Sequence, residues 1–195
     1  MGLLSDRTYG IGGPRHRMVG WLSEDTPFGK FEVLKSILRN GDSILDVGCG
    51  TGLLVDWLDN EGYDVDYHGL DLSNKFLSVF AEAHPELLDR LSEGSALSPF
   101  NEKYDVTVSF GLTSDLNGVD QAAALIGNMV ESARDAAIVE FWDETLFDPI
   151  GDGIPPKSWS IDRITSAAKR VCPGCDVNVM RPLNWSDFAV VVFKR

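Results

Sequence analysis

Cysteine is scarce in this chain, three residues among 195, and an odd number in a chain of this size does not describe a disulfide framework. Histidine is equally rare. The pair in Cys172-Pro173-Gly174-Cys175 has no second Cys/His pair nearby, so the four ligands of a structural zinc site are missing. A thioredoxin-type pair opens a helix, whereas this one follows a helical stretch and carries Pro-Gly, so it reads as a plain turn. Basic residues are few as well: 17 Lys and Arg stand against 30 Asp and Glu, a formal net charge of -13. They are scattered, the densest group being Arg15 and Arg17 around His16. Neutralising a phosphate backbone requires a concentrated basic face, which argues against nucleic acid as a partner. The acidity instead favours solubility and a small or cationic substrate, or is simply the solvated charge of a salt-rich cytoplasm, and the bland reading is preferred. No run of 18 apolar residues occurs, and Met1 to Gly20 lacks the apolar core of a signal peptide. The expectation is a cytoplasmic chain without a membrane span. Low-complexity tracts and repeats of 20–50 residues are missing too, which excludes arrays and long linkers.

What is present is an ordinary globular composition, 44% apolar and 24% charged, with the length of one domain. Phe31, Leu34, Ile37 and Leu38 share a helical face before Gly41-Asp42 breaks the pattern. Ser43 to Val47 is a short apolar run ending in Gly48, Gly50 and Gly52, after which Leu53, Leu54, Trp57 and Leu58 return to helical spacing. This reads as strand, glycine-rich turn, helix. A second strand over about 65–70 precedes a helix that Ser73 can cap, and His84 is expected in solvent at the end of that helix. A weak strand follows at 90–93, then a clear one at 104–110, a helix over 120–133 and a strand over 136–142. An irregular insert, Asp143 to Lys157, leads to a helix over 161–171 and strands over 176–180 and 188–194. Alternating strands and helices imply βαβ units, an α/β fold and a mainly parallel sheet. The final two strands are joined by too few residues for a crossover helix, so they form an antiparallel hairpin.

Ligands of such sheets bind beyond the carboxyl ends of the strands, where strand order reverses. The stretch Ile44-Leu45-Asp46-Val47-Gly48-Cys49-Gly50-Thr51-Gly52-Leu53-Leu54 is expected there. Glycines at alternate positions let the backbone lie against a ligand without Cβ interference. Asp46 brings a carboxylate to the turn. Asp71 ends the second strand about 20 residues further on, where nucleoside-binding α/β folds place an acid for the ribose hydroxyls.

The segment Ile44 to Leu54 closely resembles the first motif of the class I S-adenosylmethionine-dependent methyltransferases, of the small-molecule type. Gly69 to Ser73 resembles their second motif, Gly94 to Phe100 their adenine loop, and Tyr104 to Gly111 their fourth-strand motif. The resemblance covers about Asp42 to Arg195. It implies a Rossmann-like doubly wound sheet of seven strands in the order 3-2-1-4-5-7-6, with an antiparallel C-terminal strand. It also implies a single methyltransferase domain, 1–195, with an N-terminal helical cap over 1–40 and the core over 41–195. Its cofactor would be S-adenosyl-L-methionine. Gly48, Gly50 and Gly52 would pack against the methionine and ribose, Asp46 would sit near the ammonium group, and Asp71 would hold the ribose beside Leu72. Ser95 and Ala96 would line the adenine edge, and Ser109 and Phe110 would close the methionine end. The family usually has Asp where this chain has Ser95, so adenine would be held without charge assistance.

Methyl transfer from a sulfonium needs alignment more than covalent catalysis, so no triad is required. Acceptor-facing positions are expected after the fourth and fifth strands and in the cap: Thr113, Ser114, Asp115, Glu140, Trp142, Asp143, Trp159, His16 and Trp21. Asp115, Glu140 and His16 are the candidate catalytic groups, each with a bland alternative as a rim, capping or packed residue. No metal is expected, and the partners are a small-molecule substrate and, if the aromatics from Phe141 to Phe147 are exposed, a second copy, so that the chain is a monomer or homodimer. Two other classes stand beside this reading. An NAD(P)-binding oxidoreductase would need glycine at position 53, where this chain has Leu53. A non-catalytic module would keep the fold and cofactor while serving a protein partner.

Overall fold

The computed structural model describes residues 13–21, 23, 25–143, 158–181 and 187–193. Residues 1–12 of the expected cap and 144–157 of the expected insert lie outside them. The strands are β1 (Ser43–Val47), β2 (Asp66–Asp71), β3 (Leu91–Glu93), β4 (Tyr104–Ser109), β5 (Ala133–Asp143), β6 (Ser158–Trp159), β7 (Asp176–Met180) and β8 (Asp187–Phe193). The α-helices are α1 (Arg15–Met18), α2 (Asp25–Phe31), α3 (Leu53–Glu61), α4 (Asn74–Ala83), α5 (Val119–Ser132) and α6 (Ile161–Val171). The sheet runs β3-β2-β1-β4-β5-β8-β7, with the pairs from β3 to β5 parallel and β8 antiparallel to both β5 and β7. Apart from the two-residue β6, this is the order that the family resemblance implies. The order in which strands are added reverses between β1 and β4, which leaves a crevice beyond their carboxyl ends.

Burial explains why β1 is central. Ile44, Leu45, Asp46 and Val47 are all buried, as in a strand covered on both faces. Ile44, Val106, Val108, Ala136 and Ile138 face one layer, packed with Leu34 of the N-terminal segment, Leu54 and Trp57 of α3, and Phe80 of α4. Leu45, Val47, Ala137, Val139 and Phe141 face the other, against Leu125, Ile126 and Met129 of α5 and Ile164 of α6. Each fully buried Val, Leu, Ile, Phe or Met side chain among these contributes about 1.5–3 kcal/mol relative to exposure. Phe31 and Leu34 therefore make the N-terminal segment an integral part of the first layer. Ser73 caps α4, its Oγ accepting the Phe76 N–H at 3.4 Å, as expected.

Several local expectations change. The apolar face from Phe31 to Leu38 forms the end of α2 and then a 3₁₀ turn, Glu32–Ser36, because residues three apart also align in that tighter helix. β5 starts at Ala133, with no loop after α5, and a register irregularity against β4 between Tyr104 and Val106 absorbs the change. β6 was not anticipated. It pairs with Trp142 and Asp143, and Trp142 is held by β8 on its opposite edge, so β6 prolongs the edge that β4 occupies lower down. His84 is buried rather than solvated: its Nε2 lies 3.0 Å from Asp56 Oδ1 and its ring meets Phe80 edge-on. Phe141 is buried against Trp159, so it cannot form the exposed aromatic patch. Cys172 and Cys175 are joined in a disulfide across the Pro-Gly turn, a pairing that the reading as a plain turn missed. Among the described residues, no helix is long and apolar enough to cross a membrane.

Candidate cofactor site

A cavity of about 510 Å³ opens at the carboxyl ends of β1, β2 and β4. Its floor is the turn after β1. Gly48, Gly50 and Gly52 all have positive φ, at 82°, 55° and 86°, conformations that side-chain-bearing residues rarely adopt. The turn is stitched to β2, with Leu70 O accepting the N–H groups of Gly48 (2.7 Å) and Cys49 (3.1 Å). At Gly48 an added Cβ would lie 2.6 Å from Leu112 Cδ1, and at Gly50 it would lie 2.9 Å from Val19 Cγ1 of the N-terminal segment. At Gly52 it would strike the Phe80 ring at 2.8 Å, so this glycine serves helix packing and does not line the cavity.

Two carboxylates dominate the wall. Asp71 accepts the Gly50 N–H at 2.9 Å and the Ser73 N–H at 2.7 Å, which fixes the turn and the start of α4 around one side chain. Burial raises its pKa, opposed by the backbone N–H groups of Ser73, Gly50 and Leu72. Asp46 is buried beneath the turn and accepts a hydrogen bond from Tyr67 Oη at 2.8 Å. Loss of water pushes its pKa up to about 7, with the nearby Asp71 charge adding to the rise and the Tyr67 hydrogen bond opposing it. Among the described residues lining the cavity there are Asp46, Asp71 and Asp115 but no Lys, Arg or His. The cavity therefore suits a cationic ligand and lacks the countercharge of a pyrophosphate.

The cleft brings together Asp46, Gly48, Gly50, Asp71 and Leu72. Ser95, Ala96, Phe110, Ser114 and Asp115 also line it, and Trp21 enters from the N-terminal segment. Leu72 is 42% exposed, an apolar side chain open to the cleft. The Ser95 Oγ already accepts the Leu97 N–H at 3.2 Å, which leaves one lone pair and the hydroxyl hydrogen for any ligand.

Eight expected residues are not among the cleft lining: Gly52, Ser109, Glu140, His16, Thr113, Trp142, Asp143 and Trp159. Ser109 is fully buried and shares the α5 side of the sheet with Thr107, because alternate residues of β4 face opposite layers. Gly52 packs on Phe80, as above. Glu140 is buried and ion-paired with Lys30 at 3.1 Å. His16 borders a separate cavity with Arg15, Phe28, Asp56 and Asp59. Thr113 and Trp159 are buried outside the cleft as well.

Sequence reading missed Tyr67, Phe31, Leu112, Asn117 and Gln121, of which all but Tyr67 line the cleft. Tyr67 could have been found: Ile44 pairs with Tyr67 and Asp46 with Gly69, so Tyr67 shares a face with Asp46. Asn117 and Gln121 depend on the path of the turn after β4, where the Asn117 N–H donates to Gln121 Oε1, and no periodic signal marks that.

Residues 45–139 match the family described as methyltransferase domain. A stretch of 39 residues is 46% identical to the Mycobacterium tuberculosis protein Rv1506c; it makes up 20% of this chain and spans about a quarter (24%) of that curated relative. Among solved structures, the chain resembles a TehB-like SAM-dependent methyltransferase from Corynebacterium glutamicum (TM-score 0.62, 24% identity, 86% of this chain and 87% of that one). It also resembles magnesium protoporphyrin IX methyltransferase from Synechocystis, solved with bound SAM (TM-score 0.65, 17% identity, 97% and 88%). At these identities the structural likeness is one of fold. The matched methyltransferase domain covers just under half of this chain, and the sheet order is the one that the resemblance to the class I S-adenosylmethionine-dependent methyltransferases implies. An acidic cleft with no basic residue among its described lining, floored by a turn that has no Cβ at Gly48 and Gly50, fits a ligand like the SAM that the Synechocystis structure holds.

Proposed function

We propose that the protein transfers the methyl group of S-adenosylmethionine to a small-molecule acceptor by in-line displacement, within a single domain whose N-terminal segment, 1–40, caps the cleft. The acidic character of the cleft carries this reading: the buried Asp46, the half-buried Asp71 and no basic residue among its described lining suit a sulfonium-bearing amino acid and disfavour a dinucleotide pyrophosphate. In this reading Asp71 accepts from the ribose hydroxyls with the lone pairs left by Gly50 and Ser73. Asp46 faces the ammonium group. Gly48 and Gly50 lie along the amino-acid tail, Leu72 and Ala96 hold the adenine with Ser95 at its edge, and Phe110 closes the methionine end. Gly52 and Ser109 support these residues from outside the cleft.

When bound, the cofactor supplies a methyl group already activated on sulfur. The protein's part is to align the acceptor and exclude water, and Trp21, Phe31 and Phe110 provide apolar wall for this. A base is needed only for an acceptor that must lose a proton, and Asp115 is the candidate that lines the cleft. Glu140 and His16 lie outside it, so direct catalysis is not proposed for them. The net charge of -13 favours a neutral or cationic acceptor. We propose a monomer or homodimer acting in the cytoplasm.

Turnover of labelled cofactor to S-adenosylhomocysteine with a panel of acceptors tests the reading. Tight NADH binding with none of S-adenosylmethionine would overturn it in favour of an oxidoreductase. Cofactor binding with no turnover on any acceptor would favour a partner-serving module.

The buried Asp46 gives a pH prediction. With its pKa near 7 in the ligand-free protein, Asp46 must lose a proton to face an ammonium group. Affinity for S-adenosylhomocysteine therefore rises with pH up to about 7 and then levels, and binding below that pH releases a proton. Tyr67→Phe removes the hydrogen bond that favours the charged form, so the rise moves to higher pH by roughly one to two units. Calorimetry in buffers of different ionisation enthalpy reads both effects, and a flat profile in wild type would contradict the assignment. Ligand-free stability has the opposite trend. The raised pKa contributes stability fully below pH 3.8, and that contribution is lost as pH rises through about 7.

A further inference from the structure

Lys30 of α2 has no exposed surface, which a lysine tolerates only where its charge is matched. Its Nζ lies 3.1 Å from Glu140 Oε1 and sits over two indole rings, 4.1 Å from the centre of Trp21 and 4.4 Å from that of Trp142. The second oxygen of Glu140, Oε2, accepts the Gly111 N–H at 2.8 Å. Gly111 holds a φ of 82°, and Trp21 packs so closely over it that a Cβ there would lie 3.0 Å from Trp21 Cζ2. The neighbouring Phe31 meets Phe110 edge-on, ring centres 5.0 Å apart. One ammonium thus joins the N-terminal segment, the end of β5 and the turn after β4. Trp21, Phe31, Phe110 and Gly111 are all cleft lining.

Stability alone does not explain this pair, since replacing a buried ion pair by apolar groups of similar volume is often neutral or favourable. What a carboxylate and two ring faces around an ammonium provide is a single geometry. We propose that Lys30 is a positioning residue for cofactor binding: through Trp21 and Glu140 it seats the N-terminal segment and the Gly111 turn as the wall of the methionine end. The identity of the ligand rests on the methyl-transfer reading. The seating itself does not, and it is measurable without ligand.

The test is hydrogen exchange of the ligand-free protein, with α5 as the internal reference, alongside calorimetric titration with S-adenosylhomocysteine. Lys30→Met leaves the Glu140 carboxylate buried without its ammonium. Peptides covering 21–31 and the Gly111 turn then exchange about tenfold faster or more, α5 stays protected, and the dissociation constant rises roughly tenfold or more. Lys30→Met/Glu140→Gln removes both charges and is the variant that decides if the single change does not fold. It keeps an acceptor for Gly111, yet it shows the same faster exchange and weaker binding. Lys30→Arg keeps the charge and the ring contacts and restores both readouts to within about threefold of wild type. A folded Lys30→Met or double variant with wild-type exchange over 21–31 and wild-type affinity overturns the proposal. Wild-type protein that ignores S-adenosylhomocysteine overturns the methyl-transfer reading and the ligand named here, while the exchange arms alone decide whether Lys30 seats the segment.

Discussion

Gly48→Val is expected to abolish measurable binding of S-adenosylhomocysteine and to lower the stability of the protein. Two costs add at this position. The backbone φ of 82° places a β-branched residue in the left-handed region, at roughly 1–2 kcal/mol. The new Cβ also falls 2.6 Å from Leu112 Cδ1 and 3.1 Å from Leu112 Cβ, inside van der Waals contact, which adds about 1–3 kcal/mol of overpacking. Leu112 lines the cleft, so relief by moving it deforms the same wall the ligand needs. Thermal unfolding and calorimetric titration separate the two costs. Gly50→Val acts differently, since its Cβ meets Val19 of the N-terminal segment at 2.9 Å and pushes that segment away from the turn. A Gly48→Val protein that binds with wild-type affinity would mean that the ligand does not lie along this turn.

Asp71→Ala is the second large effect. The carboxylate holds the Gly50 and Ser73 N–H groups and, in the proposed complex, the ribose as well. Losing a charge-assisted acceptor costs about 1–3 kcal/mol, so affinity falls roughly tenfold to a hundredfold. The ligand-free protein also loses stability, because two amides that the carboxylate satisfied must find water. Asp71→Asn keeps one acceptor oxygen and is expected between wild type and alanine in both measurements. Unchanged affinity in Asp71→Ala would remove the ribose from this side chain even if the stability fell.

The parts of the fold legible in the sequence are those set by short-range rules. β1 is an apolar run closed by glycines whose positive φ angles only they adopt easily, and β7 and α6 begin and end where spacing and turn residues place them. The antiparallel end of the sheet followed from the shortness of the link between the last two strands. What was not legible depends on partners distant in sequence. A lysine in a short helix reads as solvated, but Lys30 is buried with its ammonium between Glu140, 110 residues away, and the rings of Trp21 and Trp142. His84 reads as exposed beside Pro85, yet α3 presents Asp56 to it. Ser109 matched a motif position, but the pleat of β4 turns it towards α5 while Phe110 reaches the cleft. The Cys172–Cys175 bond was hidden because the same four residues also make a good turn.

The crystal structure of the protein with S-adenosylhomocysteine puts the central claim to its most direct trial. The expected density has both ribose hydroxyls on Asp71, the adenine between Leu72 and Ala96, and the amino-acid tail beside Gly48 with its ammonium group towards Asp46. Density for the nucleoside anywhere else, or none after soaking with the compound in large excess, would contradict that claim.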